Sequence, residues 1–333
     1  MPVSSTPPGH SGAHVPDPNL AVLDDDRFLI ELIARLTDRP ASEVCQRLAA
    51  EHRSLGTNVR QAMAEWHLPR YQWSDRLVPF YEQTDAFVYE TCAWNRCRGK
   101  QQMRRWIAAF LRATYPGGAR VLSYGDGLGF DSLYLTQAGH DVTSFEVSHR
   151  CRQFASAIFG RAGVHVHTVE RPEDLQPESF DAVVCLDVLE HLPDPPQCVG
   201  EMAGLLPQGG HLLVHAPFFY LAPAVGTHLR SNRRYSGSWR MFAAHQLFPV
   251  AGEFFWNPLA LRKGCPPTRQ AIPWAVRLGG WLLSVARLWH APHVFVCEQV
   301  LTRADRRGLA RRAETLTAIT FPVAEGDAVC DRV

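Results

Sequence analysis

Gly125, Gly127 and Gly129 follow the short apolar run Val121–Tyr124 at two-residue intervals, and a carboxylate, Glu146, closes the next apolar run. Glycines between a strand and a helix let the backbone turn tightly and bring its N–H groups against a ligand. A carboxylate about 20 residues further on sits at the tip of the second strand, where it accepts hydrogen bonds from ribose hydroxyls. The pattern therefore predicts a nucleoside-type ligand held by Tyr124, Gly125, Asp126, Gly127, Gly129, Glu146 and Val147. A dinucleotide would require G-x-G-x-x-G, so that pyrophosphate reaches the helix N-terminus. Here the position of that last glycine is Phe130, which argues against pyrophosphate and against a nicotinamide oxidoreductase.

Two more segments follow in order. Phe180 to Pro195 reads FDAVVCLDVLEHLPDP, a buried strand and the turn after it, and Leu205 to Val214 reads LLPQGGHLLV. With the loop VLSYGDGLG, these segments resemble the class I S-adenosylmethionine-dependent methyltransferases, whose first motif commonly reads V-L-D-x-G-x-G-x-G. Ser123 stands where that family has an acidic residue. The likeness covers roughly residues 119–215. It implies S-adenosylmethionine as cosubstrate, with the glycines at its methionine end, Glu146 at the ribose, and Leu186 and Asp187 at the strand ends. Many members place an aspartate near adenine; the resemblance puts Glu170, in the stretch VERPEDL, at that position, and a solvated charged loop is the other reading.

Asp187, Glu190 and His191 lie at i, i+3 and i+4, a spacing that gathers three donors on one face of a helical turn. The set is similar to the E-x-x-E-H of certain ubiquinone-pathway O-methyltransferases, where it holds a divalent cation. Many similar methyltransferases need no metal, and none is expected here. The loop after the last of these motifs carries His228 and Tyr235, with Arg230, Arg233 and Arg234 between them. A histidine near its ordinary pKa takes a proton from an acceptor, so His228 and Tyr235 are the candidate catalytic pair.

The elements that position these groups alternate. Strands are expected at Ala119–Tyr124, Asp141–Glu146, Val164–Val169, Ala182–Leu186 and Gly210–Ala216, with helices near 131–138, 149–161, 196–205 and 238–246. That order predicts an α/β fold, a Rossmann-like seven-stranded, mostly parallel sheet with helices on both faces. Glu253–Leu259 and His293–Thr302 are the expected last two strands, with an amphipathic helix over Ala271–His290 inserted between them.

Ahead of the sheet, residues 24–115 read as a helical cap, with Ser42 as one N-cap. The cap is dense in aromatics (Trp66, Tyr81 and Trp94 among them) that would cover an acceptor and exclude water. The expected division is a tail over 1–23, the cap over 24–115, the methyltransferase core over 116–304 and a frayed tail over 305–333.

Composition sets the remaining bounds. With a net charge of +1 there is no general electrostatic case for nucleic acid. Nine scattered cysteines without a C-x-x-C pair read as reduced thiols in a cytoplasmic protein. No signal peptide is visible, and Arg277 and Arg287 interrupt the one long apolar stretch, so no membrane span is expected. A homodimer is compatible with this composition. The resulting reading is methyl transfer from S-adenosylmethionine to an O, N or C nucleophile of a small molecule in specialised, natural-product metabolism. Most of the catalysis would come from aligning nucleophile and methyl. A peptide or protein acceptor, and a cosubstrate-binding protein without transfer, stay open.

Overall fold

The computed structural model describes residues 18, 20–253, 255–268 and 271–289, together with 292, 295, 305 and 308–319. Seven helices come first: α1 (Ala21–Asp24), α2 (Asp26–Thr37), α3 (Ala41–Arg53), α4 (Thr57–Glu65), α5 (Leu77–Gln83), α6 (Ala86–Asn95) and α7 (Arg98–Thr114). Then strands and helices alternate through β1 (Arg120–Tyr124), α8 (Phe130–Gln137), β2 (Asp141–Phe145), α9 (His149–Ala162), β3 (His167–Val169), β4 (Ala182–Leu186), α10 (Pro195–Gly204) and β5 (His211–His215). The chain continues with α11 (Arg240–Ala243), β6 (Leu247–Gly252), β7 (Leu259–Lys263) and α12 (Trp274–Ala286).

The strands form one sheet in the order β3-β2-β1-β4-β5-β7-β6. The first five are parallel, while β7 runs antiparallel to both β5 and β6. The expected seven-stranded, mostly parallel α/β fold is therefore present. Local chemistry sets several helix boundaries. Asp25 caps α2, Ser148 caps α9, and Asp194 with Pro195 at the first helical position starts α10. Gly163, in the left-handed region, ends α9.

Five expectations are corrected. Leu247–Gly252 and Leu259–Lys263 form the antiparallel edge in place of Glu253–Leu259 and His293–Thr302, and most of the latter lies outside the described residues. Glu253 N–H donates to Pro258 O and Trp256 N–H to Glu253 O, so 253–258 close a hairpin loop instead of extending. α12 therefore follows the hairpin and is not inserted within it. Pro40, not Ser42, precedes the first turn of α3. α1 begins at Ala21, inside the stretch assigned to the N-terminal tail. Residues 308–318 are helical, with Ala313 and Leu316 buried and Arg312 bonded to Asp24 and Asp26.

Each face of the sheet has its own apolar core. Helices α2, α3, α6, α7, α8 and α9 cover one face through residues such as Ile33, Leu48, Tyr89, Leu111 and Phe154. On the other, Val183, Met202, Leu212 and Phe242 pack with Val276 of α12. The loops at the carboxyl ends of β1, β2, β4 and β5 meet between these cores, the usual ligand position in an open α/β sheet.

Candidate active site

The three glycines are not equivalent. Gly125, Gly127 and Gly129 all have positive φ, at 72°, 62° and 82°. A Cβ on Gly125 would lie 2.7 Å from a Val188 methyl, and one on Gly129 would lie 2.7 Å from Ala155 Cβ. Packing alone therefore demands those two glycines. A Cβ on Gly127 would meet only Thr91, 3.9 Å away, so Gly127 borders open space. Its N–H donates to Glu146 Oε2 at 2.8 Å, and Ser148 N–H donates to Glu146 Oε1 at the same distance. Glu146 is thus fixed at the tip of β2, with its carboxyl pushed up by burial against the pull of those two amides. Val147 beside it is 66% exposed, an apolar surface beside the carboxylate.

Other residues expected at the cosubstrate have more structural surroundings. Asp126 accepts the Asp131 and Ser132 amides at 3.2 and 3.0 Å, so it occupies the N-terminus of α8 where a dinucleotide would put phosphate. Burial and the Asp131 charge push its carboxyl up to about 7. Tyr124 turns its ring onto Phe145 at 4.8 Å, which leaves its main chain to the loop. Glu170 is exposed and paired with Arg152 at 3.1 Å, while Arg152 also donates to the carbonyls of Glu146 and Val147. Leu186 is buried at the end of β4.

Asp187 adopts φ 60° and is held from three sides. Trp94 Nε1 and Lys100 Nζ donate to Oδ2 at 2.9 and 3.0 Å, and His215 Nδ1 lies 2.6 Å from Oδ1. Burial alone would raise this carboxyl, but Lys100 and His215 hold it well below the usual range. Lys100 also pairs with Asp131 at 3.0 Å, and Arg104 pairs with Asp131 at 2.6 Å.

Next to this network lies a second cluster. Glu190 is 1% exposed, and neither carboxylate oxygen has a hydrogen-bond partner among the described residues. His191 Nε2 and His228 Nε2 stand 4.0 and 3.9 Å from Glu190 Oε1. The two imidazoles meet edge to face at 4.8 Å. His228 Nδ1 lies 2.8 Å from Tyr220 O, a carbonyl that accepts only from a protonated nitrogen, so Nε2 keeps its lone pair toward Glu190. Tyr81 OH reaches His191 Nδ1 at 3.2 Å, and its ring stacks on Phe87. Burial drives His191 and His228 down to about 4 and about 3, so both are neutral at neutral pH. Burial and the Asp187 charge raise Glu190 well above a normal carboxyl. Asn232 pins the turn by donating to the carbonyls of Glu190 and Leu192.

The structure thus gathers His228 with Glu190 and His191, whereas Tyr235 packs against Phe218 beneath the Arg234 guanidinium. Among the described residues, the donors able to approach a cation are Glu190, His191 and His228, whose ligand atoms lie within 4.8 Å of one another. Asp187 is engaged instead with Lys100, Trp94 and His215. Sequence reasoning missed Lys100, His215 and Asn232. Lys100 alone carried a signal: it is one of two lysines among 34 basic residues, and the other, Lys263, is bonded to the carbonyls of Ala203 and Leu206.

A parallel sheet with a glycine turn after β1, a carboxylate at the tip of β2 and acidic groups beyond β4 defines the class I S-adenosylmethionine-dependent methyltransferases. The chain belongs to the methyltransferase-domain family, whose profile matches residues 95–264. A ubiquinone biosynthesis O-methyltransferase of Xylella fastidiosa (strain 9a5c) is 33% identical over 151 residues, covering 42% of this chain and 61% of the relative. One of the same description from Xanthomonas axonopodis pv. citri (strain 306) is 39% identical over 103 residues, covering 30% and 43%. The chain therefore spans less than two thirds of the length of these curated relatives. Among solved structures, the magnesium protoporphyrin IX methyltransferase of Synechocystis PCC 6803 is similar at 18% identity and TM-score 0.44, covering 57% of this chain and 96% of that one.

Proposed function

We propose that this protein transfers the sulfonium methyl of S-adenosylmethionine to a hydroxyl oxygen of a small molecule. The observation that carries the reading is the buried group of Glu190, His191 and His228 immediately beyond Asp187. In this reading the cosubstrate lies across the ends of β1, β2 and β4. Gly127 borders its cradle, Glu146 accepts the ribose hydroxyls, Val147 lies against the base, and Asp187 stands near the methionine end. S-adenosylmethionine supplies an activated methyl, and the protein supplies alignment.

His228 Nε2, unprotonated and facing inward, accepts the hydroxyl's hydrogen bond. Burial makes it a weak base, at about 3 and not near the ordinary histidine value expected from the sequence, so the proton passes to it only as the oxygen–methyl bond forms. Tyr81 and Trp94 of the helical segment close the acceptor side and exclude water. The matched relatives, named as O-methyltransferases, support the same acceptor atom. A place in specialised metabolism belongs to this proposal only as the expectation drawn from the sequence.

The test is S-adenosylhomocysteine release from purified protein against a panel of catechols, other phenols, amines and peptides. Transfer to phenolic oxygen, lost in His228→Ala with cosubstrate affinity retained, is the expected result. Transfer to amines or peptides alone would overturn the acceptor assignment.

A further inference from the structure

α12 presents apolar residues on two faces. One face is seated: Val276, Gly279, Gly280 and Leu283 are buried, Trp256 Nε1 donates to Val276 O at 2.9 Å, and Ser236 Oγ donates to Leu283 O at 3.0 Å. The seat is close, because a Cβ on Gly237 would fall 2.1 Å from Gly280 O. These contacts lock the helix in rotation, so its other face is committed to the outside.

That outer face carries Trp274, Leu278 and Trp281 at i, i+4 and i+7, and the turn after the helix adds Leu288 and Trp289. Trp274, Trp281, Leu288 and Trp289 are 62, 61, 75 and 67% exposed. An exposed stripe of three tryptophans and two leucines exceeds the scattered apolar residues of an ordinary surface.

Charge selects the occupant. From residue 202 to 297 the chain has nine arginines or lysines and a single acid, Glu253, although the whole protein is nearly neutral. Arg277 is exposed between the tryptophans of α12, and Arg230, Arg234, Arg240 and Arg287 are exposed as well. Arg287 Nη1 donates to Arg234 O, and Arg233 donates to Arg287 O, so the loop arginines gather at the C-terminal end of α12. A second copy across a twofold axis would set this cationic surface against itself. Tryptophan, by contrast, prefers the headgroup level of a bilayer, and flanking arginines reach anionic phosphates from there. No helix of the described residues is long and apolar enough to cross a membrane, so the contact is peripheral.

We propose that the outer face of α12 and the adjoining arginines form a docking surface for anionic membrane, with the helix lying in the interface plane. The surface is independent of the methyl-transfer reading, and so is its test. Full-length protein is sedimented with phosphatidylcholine vesicles, with and without phosphatidylglycerol. Wild type should pellet with the anionic vesicles and be released by salt. The double variant W274S/W281S should bind at least about tenfold more weakly. Because these side chains are exposed, circular dichroism should match wild type. The pair R234Q/R277Q should lose about fivefold per arginine while leaving the apolar stripe intact. Wild type that stays in solution with both vesicles overturns the proposal, as do variants that bind as wild type does. So does a wild-type dimer that W274S/W281S converts to monomer without any vesicle binding, which would assign the stripe to self-association.

Discussion

Lys100 Nζ, on α7 of the helical segment, lies 3.0 Å from Asp187 Oδ2 at the end of β4. The ammonium is buried and shared with Asp131 at the N-terminus of α8, which Arg104 also holds. The helical segment is therefore tied into the floor of the site through a charge network, and does more than cover it.

Removing the cation from that network leaves Asp131 to Arg104 alone and Asp187 to His215 and Trp94, with the buried negative charge short of one counter-charge. Lys100→Met should cost about 3–5 kcal/mol of folding stability, the scale for breaking a buried pair from one side. Removing Arg171 from its exposed pair with Asp174 should leave the transition unchanged. Urea denaturation of the three proteins measures both. A Lys100→Met midpoint equal to wild type would show that Asp187 finds its counter-charge elsewhere, in His215.

Glu146→Ala should weaken S-adenosylhomocysteine binding by roughly 1–3 kcal/mol, the range for hydrogen bonds to a charged group. The variant also releases the Gly127 and Ser148 amides, so loop order and ribose contact are lost together. Calorimetry with S-adenosylhomocysteine and with NAD reads the effect. Unchanged affinity removes Glu146 from the ribose, and binding of NAD would contradict the reading drawn from Phe130.

The β1, β2, β4 and β5 frame was legible because glycines and alternating apolar runs are local signals. The donors to Asp187 were not. Lys100 and His215 are 87 and 28 residues away from it in sequence, and only the folded sheet brings them together. Tyr235 and His228 share one loop and looked equivalent. Aromatic packing on Phe218 draws Tyr235 away, while the Tyr220 carbonyl turns His228 inward. The final hairpin was misplaced because the apolar run from Phe254 to Leu259 resembles a strand, although 253–258 turn back through hydrogen bonds of their own.

Tyr81 and Trp94 were expected to serve the acceptor alike, and their contacts now separate them. Tyr81 touches His191, so Tyr81→Phe should lower acceptor turnover while leaving cosubstrate affinity unchanged. Trp94 donates to Asp187, so Trp94→Phe should weaken S-adenosylhomocysteine binding as well. Parallel titration calorimetry and turnover on both variants decide the matter. Equal effects on the two quantities at Tyr81 would place that ring in the cosubstrate pocket.

The buried imidazoles and Glu190 oppose each other in pH dependence. His191 and His228 have folded-state values of about 4 and about 3, below the unfolded value near 6.5. The unfolded chain then binds more protons, so their contribution holds above pH 6.5 and is lost as pH falls toward 4 and 3. Glu190 is raised, so its contribution is present at low pH and is lost as pH rises above the usual carboxyl range. Glu190→Gln should therefore raise the melting temperature more at pH 8 than at pH 5, and His228→Asn should flatten the acid-side loss. Thermal melts across that range test both signs. A Glu190→Gln gain independent of pH would mean that the carboxyl is not held protonated.

Chelation separates acid–base use of the cluster from cation binding. A tetrahedral ion with bonds of about 2.0–2.1 Å needs its donor atoms about 3.4 Å apart. Glu190 Oε1 stands 3.9 Å from His228 Nε2 and 4.0 Å from His191 Nε2, so the three residues must close inward before they could hold one. Nor is Asp187 free to add a negative charge, since Lys100, His215 and Trp94 already occupy its oxygens. Turnover should survive dialysis against EDTA, with Mg²⁺, Mn²⁺ and Zn²⁺ adding nothing. Glu190→Gln, which keeps the shape of the side chain, should change turnover far less than His228→Ala, because the Tyr220 carbonyl fixes the His228 tautomer with Nε2 unprotonated. Loss of activity in chelator, restored by one of these ions and abolished in Glu190→Gln, would transfer the cluster from proton acceptance to metal binding.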